Sequence, residues 1–324
     1  MTDELRVRLE AHCRTVFDDP HFVITGLEPI PAGHSGFTYF VDTRRGGAAH
    51  RYVLRLPPPG ARIAGPADVV RQGRIMRALG AAGLPVPAVP ILVDDPAVLD
   101  GRPFVLMDAV RGDQFDVAVR EHGSDAIVGS TIEALTRLHA VPHERTGLAG
   151  EDPMTLDGEI HRWSELMKRG VEELTGGATE LAAALTATAP GERPPALVHG
   201  DYHYGNLLFD GTQVAAILDW EIAQLGQPLL DLASLCVLAE RRKFPDDPNP
   251  NGVVEVTSDR LMWLYGADPG EMQWYLALGC YKYASIFAYN LSLHRRGKRV
   301  DPHYERLAGT IQGLLARGRE VLGI

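Results

Sequence analysis

Apolar residues near the start of the chain recur at helical spacing, with Leu5, Leu9, Cys13 and Val16 on one face, and predict a helix over 4–17. Strand-like runs follow at 22–30, 37–42 and 52–56, the last two joined through the turn Arg45-Gly46-Gly47. Pro66 suits the first turn of a helix running to about Leu79, and Gly83 suits its stop. Two further apolar runs, 89–93 and 104–110, complete a small β-rich unit with one helix, which Gly112-Asp113 closes.

Beyond that point the spacing turns helical. The segments 127–138, 160–174 and 307–321 carry the 3.6-residue period, and 272–293 is apolar on most sides, which predicts a buried helix. Strand-like runs in this half are confined to 197–198, 207–209 and 214–218. The proline-rich stretch 244–252 reads as a loop, suited to act as a lid. The expected fold class is α+β, with a small lobe over 1–110 and a larger, mainly helical lobe over 111–324.

Composition narrows the function classes. Apolar residues make up 45% of the 324 and charged residues 23%, as in ordinary globular proteins. With 32 basic against 42 acidic residues the net charge is −10, which argues against a nucleic-acid partner and suits a cationic substrate or a metal-bearing site. Cys13, Cys236 and Cys280 are far apart and odd in number, so buried free thiols are expected rather than disulfides. The first residues have neither a basic stretch nor an apolar run, and no apolar segment reaches membrane-spanning length. A cytoplasmic protein without membrane contact is the expectation; oligomeric state is not legible.

The candidate chemistry lies between His199 and Asp219. Asp210-Gly211 between two apolar runs predicts a hairpin, which would set Phe209 opposite Thr212 and Asn206 opposite Ala215, and send Asp219 back towards Asp201. Phosphoryl transfer needs such a set: one carboxylate to orient an acceptor hydroxyl, and an amide and second carboxylate to hold Mg²⁺. The Asp201-x-x-x-x-Asn206 spacing matches kinase catalytic loops, with Asp219 where the second metal carboxylate belongs.

The stretch His199-Gly200-Asp201 to Asn206, then Leu218-Asp219-Trp220-Glu221 and Pro228-Leu229-Leu230-Asp231-Leu232-Ala233, resembles the aminoglycoside phosphotransferase / choline kinase family. Gly33-His34-Ser35-Gly36-Phe37-Thr38 and the later run from Tyr52 to Gly60 are similar to one branch, the kinase-like domains fused to acyl-CoA dehydrogenases. The resemblance spans nearly the whole chain and implies a protein-kinase-like bilobal fold using ATP and Mg²⁺. It implies Asp201 as catalytic base, Asn206 and Asp219 as Mg²⁺ ligands, and His199 and Asp231 as supports of the catalytic loop. It also implies the backbone of Met107, Asp108, Ala109 and Val110 as the adenine contact. Gly33, Ser35 and Gly36 are suited to cover phosphates.

Two positions depart from the kinase pattern. The four lysines, Lys168, Lys243, Lys282 and Lys298, all lie in the second lobe, so Arg55 is the candidate for the phosphate-gripping cation; a surface arginine on an edge strand is the competing reading. Where a glutamate would partner that cation, the helix carries Gln72, and a Gln72–Arg55 hydrogen bond is expected instead.

The expected activity is transfer of the γ-phosphoryl group to a hydroxyl of a small molecule, aminoglycoside-like or hydroxyacyl-type. A non-catalytic nucleotide-binding regulator is one alternative. A metal-dependent hydrolase using His199, Asp201, His203 and Asp219 is another. His139 is expected to cap its helix. Tyr202 and His203 could fill the loop or touch substrate. Trp263, Trp274, Tyr275, Tyr281 and Tyr289 could wall a pocket or fill a core. Glu221 and Asp113 could meet a cationic acceptor, or be solvated.

Overall fold

The computed structural model describes residues 2–30, 37–99, 101–240 and 256–324. Gly33, Ser35 and Gly36, and the 244–252 loop, lie outside the described residues. The chain divides into two compact units. One comprises Met1–Gly112, Glu144–Ala149 and Ala215–Ala223; the other comprises Asp113–His143, Gly150–Val214 and Gln224–Ile324. Two later segments thus return to the first unit, which a single cut along the sequence does not anticipate.

In the first unit, helix α1 (Thr2–Val16) buries Leu5, Leu9 and Cys13 in the core. Val16, expected on the same stripe, is 46% exposed, because the helix ends there and the chain turns through Asp18 at φ 50°. Strands β1 (Val23–Pro29), β2 (Phe37–Arg45), β3 (Ala48–Leu56), β4 (Ile91–Val93) and β5 (Phe104–Asp108) form an antiparallel sheet in the order β1-β2-β3-β5-β4. Gly46 and Gly47 turn the β2–β3 hairpin at φ 54° and 81°, the left-handed pair that a two-residue hairpin loop demands. Phe22, Val41, Leu54, Leu56, Phe104 and Leu106 fill the core beneath α1, each fully buried side chain contributing about 1.5–3 kcal/mol.

Helix α2 (Val69–Ala81) begins later than the sequence predicts. Pro66 sits in a short 3₁₀ turn, and Asp68 Oδ1 opens the helix by accepting from Arg71 N at 2.9 Å. Gly73 lets α2 approach the sheet, since a Cβ there would lie 2.7 Å from Leu92 Cδ1 and 2.9 Å from Val105 Cγ2.

The second unit is mainly helical: α3 (Phe115–His122), α4 (Ser124–His139), α5 (Leu156–Met167), α6 (Ala178–Ala187), α7 (Leu229–Ala239), α8 (Ser258–Tyr265), α9 (Pro269–Arg295), α10 (His303–Arg306) and α11 (Ala308–Leu322). As its apolar circumference predicts, α9 is buried along most of its length, packed against α5, α6, α7 and α11. The helix expected over 160–174 runs from Leu156 and stops at Met167; just beyond it Gly170 passes so close to α9 that a Cβ would lie 2.7 Å from Ala288 Cβ. Strand β6 (Ala196–Val198) pairs with β9 (Gln224–Gly226), a strand too short to show in the pattern. Strands β7 (Leu207–Asp210) and β8 (Gln213–Ile217) form a ribbon whose turn is Gly211-Thr212, one residue later than predicted, with Gly211 at φ 56°. The three cysteines are buried free thiols. No helix among the described residues is long and apolar enough to cross a membrane.

Candidate active site

In the second unit, the loop leaving β6 is tied down from behind by one carboxylate. Asp231, fully buried in the first turn of α7, accepts from His199 N at 2.7 Å and Gly200 N at 2.8 Å. Its Oδ2 also lies 3.1 Å from His139 Nε2, while His139 Nδ1 meets the Tyr265 hydroxyl at 2.7 Å. This corrects the expectation for His139, which braces the loop through Asp231 rather than capping its own helix. Burial raises the Asp231 carboxyl, but His139 and the His199 amide outweigh it and hold it below the usual carboxylate range.

His199 Nδ1 accepts from Asp201 N at 3.1 Å, so the buried imidazole shapes the turn that presents Asp201. Gly200 takes φ 85° there, a conformation that costs other residues dearly. Asp201 is then held at both carboxylate oxygens. Tyr283 donates to Oδ1 at 2.7 Å, while Asn206 Nδ2 donates to Oδ2 at 3.3 Å and to the Asp201 carbonyl at 3.0 Å. His203 Nε2 lies 3.4 Å from Oδ2, and its Nδ1 accepts from Gly205 N at 3.0 Å. Burial would raise the Asp201 carboxyl, yet His203, Lys282 and Tyr283 drive it well below the ordinary range, leaving it an ionised acceptor.

Lys282 and Tyr283 are the residues that the sequence reading passed over. Both project from α9, and Lys282 Nζ donates to Gly200 O and, at 3.0 Å, to Ser234 Oγ. Burial lowers the Lys282 ammonium, while Asp201, Glu159 and Asp231 oppose that shift. A signal was present: Lys282 is a charged residue inside an otherwise apolar stretch, and buried lysines are rare unless paired.

The loop's neighbours settle several open readings. Tyr202 is fully buried, its hydroxyl donating to Thr131 O at 2.8 Å, so it fills the loop. Trp274, Tyr275 and Tyr281 are core residues, whereas Trp263 is 78% exposed. Asp113 is exposed and bridges to β7 through its backbone, donating to Phe209 O at 2.7 Å.

A second group of predicted residues lies in the first unit. Arg55 is 15% exposed on β3, which lies inside the sheet between β2 and β5, so the edge-strand reading is wrong. Its guanidinium forks across two carboxylates, Asp219 Oδ1 at 3.2 Å and Glu221 Oε2 at 2.9 Å. Asp219 holds φ 61°, a left-handed conformation that aspartate adopts more readily than most residues. The Gln72–Arg55 hydrogen bond is not formed. Gln72 Nε2 donates to Pro66 O at 3.0 Å, and its buried Oε1 accepts nothing among the described residues. Within the expected adenine contact, Asp108 N donates to Ala88 O at 2.8 Å and Ala109 N to Arg51 O at 3.1 Å, while Met107 pairs with Val53 in the sheet.

No group of three or more His, Cys, Asp or Glu side chains among the described residues is arranged to hold a metal ion. The zinc-type cluster of the hydrolase alternative is therefore not assembled. Asn206 and Asp219 are hard oxygen donors of the kind Mg²⁺ takes.

Several known proteins are similar to this chain in sequence or in fold. Acyl-CoA dehydrogenase family member 11 of Gallus gallus is 30% identical over 315 residues, covering 90% of this chain and 39% of the relative. The Rattus norvegicus protein of that name is 27% identical over 327 residues, 94% of this chain and 41% of its own. The chain thus spans about two fifths of the length of these relatives. Among solved structures, a Ralstonia eutropha protein assigned as an aminoglycoside phosphotransferase superposes with a TM-score of 0.78 at 22% identity, covering 98% of each chain. Aminoglycoside phosphotransferase APH(4)-Ia, in its ternary complex with ADP and hygromycin B, superposes with a TM-score of 0.65 at 14% identity, covering 96% of this chain and 98% of that one. These likenesses establish the fold as that of the kinase-like aminoglycoside phosphotransferases. The phosphotransferase enzyme family (APH) is matched across residues 26–274, most of the chain, and the protein belongs to that family.

Proposed function

We propose that this chain transfers the γ-phosphoryl group of ATP to a hydroxyl of a small molecule. The observation that carries the reading is Asp201, an ionised carboxylate held at both oxygens by Tyr283 and Asn206, on a loop braced by Asp231 and Lys282. Phosphoryl transfer asks the protein mainly for positioning and charge stabilisation, and such a carboxylate can orient an acceptor hydroxyl and take its proton.

Asn206 turns its amide nitrogen onto Asp201, which leaves its carbonyl oxygen as the donor for a cation. Asn206 and Asp219 are the proposed Mg²⁺ ligands, and Mg²⁺ when bound neutralises charge on the phosphates. Arg55 is proposed to grip the α- and β-phosphates, and backbone groups of residues 107–110 other than the Asp108 and Ala109 amides to meet adenine.

For the acceptor, the sequence likeness is greater to the acyl-CoA dehydrogenase family proteins, at 27% and 30%, than to the aminoglycoside phosphotransferases, at 14% and 22%. A hydroxyacyl thioester is therefore the proposed class. Single-turnover incubation with γ-labelled ATP and Mg²⁺ against hydroxyacyl thioesters and aminoglycosides tests both levels. Label on the acyl hydroxyl is expected. Label on an aminoglycoside alone would overturn the acceptor class, and label on no acceptor would overturn the transfer.

Tyr283→Phe removes a hydrogen bond that favours the ionised form of Asp201. The Asp201 pKa then rises, so the acid limb of the kcat profile is expected to move to higher pH. At neutral pH kcat should fall by about 10- to 150-fold, the equivalent of the roughly 1.5–3 kcal/mol that a hydrogen bond to a charged group is worth. Unchanged pH–rate profiles would show that the contact does not tune Asp201.

A further inference from the structure

We infer that Glu221 is the positioning residue for Arg55, supplying from the loop after β8 the carboxylate that the kinase pattern places on the helix after β3. The inference rests on the phosphotransferase reading above. Helix α2 has no carboxylate to give. Gln72 is turned onto the Pro66 carbonyl, and Asp68, just before the helix, is spent on the Arg71 amide at 2.9 Å. Arg55 instead divides its two terminal nitrogens between Asp219 and Glu221, and all three residues belong to the same compact unit.

The fork explains why an arginine serves here. A lysine presents one compact ammonium, whereas a guanidinium can bond two carboxylates through separate nitrogens in one plane. Asp219 and Glu221 are two residues apart, with Asp219 in the left-handed conformation, and both carboxylates reach the same guanidinium. Were Asp219 to serve Mg²⁺, Glu221 would remain as a carboxylate partner of Arg55 through the 2.9 Å bond and would hold the guanidinium in place for the phosphates. Glu221 therefore acts through Arg55 on nucleotide affinity, without touching the reacting atoms.

A double-mutant cycle of Glu221→Gln and Arg55→Met tests this, with the equilibrium Kd for Mg²⁺–ADP as the main readout. Glu221→Gln keeps the side chain's shape, and the apo melting temperature of each variant reports folding. Glu221→Gln alone is expected to weaken Mg²⁺–ADP binding by about 10-fold, within the range of coupled charge pairs. It should change kcat less than KM for ATP, and leave the Mg²⁺ concentration for half-maximal activity unaltered. In the Arg55→Met background, Glu221→Gln should have no further effect on Kd. A Glu221→Gln penalty that persists without Arg55, or a shifted Mg²⁺ requirement, would overturn the inference and make Glu221 an independent metal or structural residue. Wild-type Kd equal to that of Glu221→Gln would overturn it as well. Absence of Mg²⁺–ADP binding by the wild-type protein would instead defeat the phosphotransferase reading, and this inference with it.

Discussion

Asp201→Ala is expected to lower the rate of phosphoryl transfer by roughly 10²- to 10⁴-fold, the usual contribution of a positioned acid–base group. Mg²⁺–ADP affinity should change little, because the proposed nucleotide contacts are Arg55, Asn206, Asp219 and residues 107–110. The variant removes the one group whose oxygens Tyr283 and Asn206 hold in place. The braces behind the loop survive it: Asp231 still accepts from the His199 and Gly200 amides, and Lys282 still donates to the Gly200 carbonyl. Single-turnover kinetics with γ-labelled ATP, beside equilibrium nucleotide binding, separate the two effects. Transfer at the wild-type rate would remove Asp201 from the chemistry.

Asp231→Ala, in the helix turn behind this loop, is expected to destabilise the protein strongly. It strands the buried His199 amide and the part-buried Gly200 amide, and leaves His139 without its carboxylate. Each buried hydrogen-bonding group left unsatisfied in this way costs about 1–3 kcal/mol. Transfer should be lost as well, since those amides set the turn that presents Asp201. Asp231→Asn keeps the shape and exposes the pH dependence. The folded-state pKa of Asp231 lies below its unfolded value of about 3.9, so the ionised form stabilises the fold. That contribution is complete above the unfolded value and disappears as pH falls through the folded one. The gap in melting temperature between wild type and Asp231→Asn should therefore be widest near neutral pH and close on acidification. A gap independent of pH would show that the charge of Asp231 is not what stabilises the loop.

Much of this arrangement was legible along the chain because local rules carry it. The stripe Leu5, Leu9, Cys13 needs only helical spacing, and Gly46-Gly47 needs only the left-handed turn of a tight hairpin. The candidate motif is equally local: His199, Asp201 and Asn206 lie within eight residues, and the structure joins them by hydrogen bonds of 3.1 and 3.0 Å. Helix α7 escaped the pattern because it is apolar nearly all round, leaving no polar face to mark a period. Strand β9 escaped because three residues are too few to show alternation.

What the tertiary structure alone decided are the pairings between residues far apart in sequence. Arg55 meets Glu221 across 166 positions, His139 meets Asp231 across 92, and Tyr283 meets Asp201 across 82. Spacing within an element says which residues share a face, but not which distant element lies against that face. The sequence by itself determined which residue types stand close together in the stretch from His199 to Asp219, since a short loop and a hairpin turn suffice for that. Packing determined the partners: Gln72 was turned away from Arg55, and α9 brought Lys282 and Tyr283 up behind Asp201. Buried charges must find counter-charges wherever the fold offers them, and only the folded chain shows where that is.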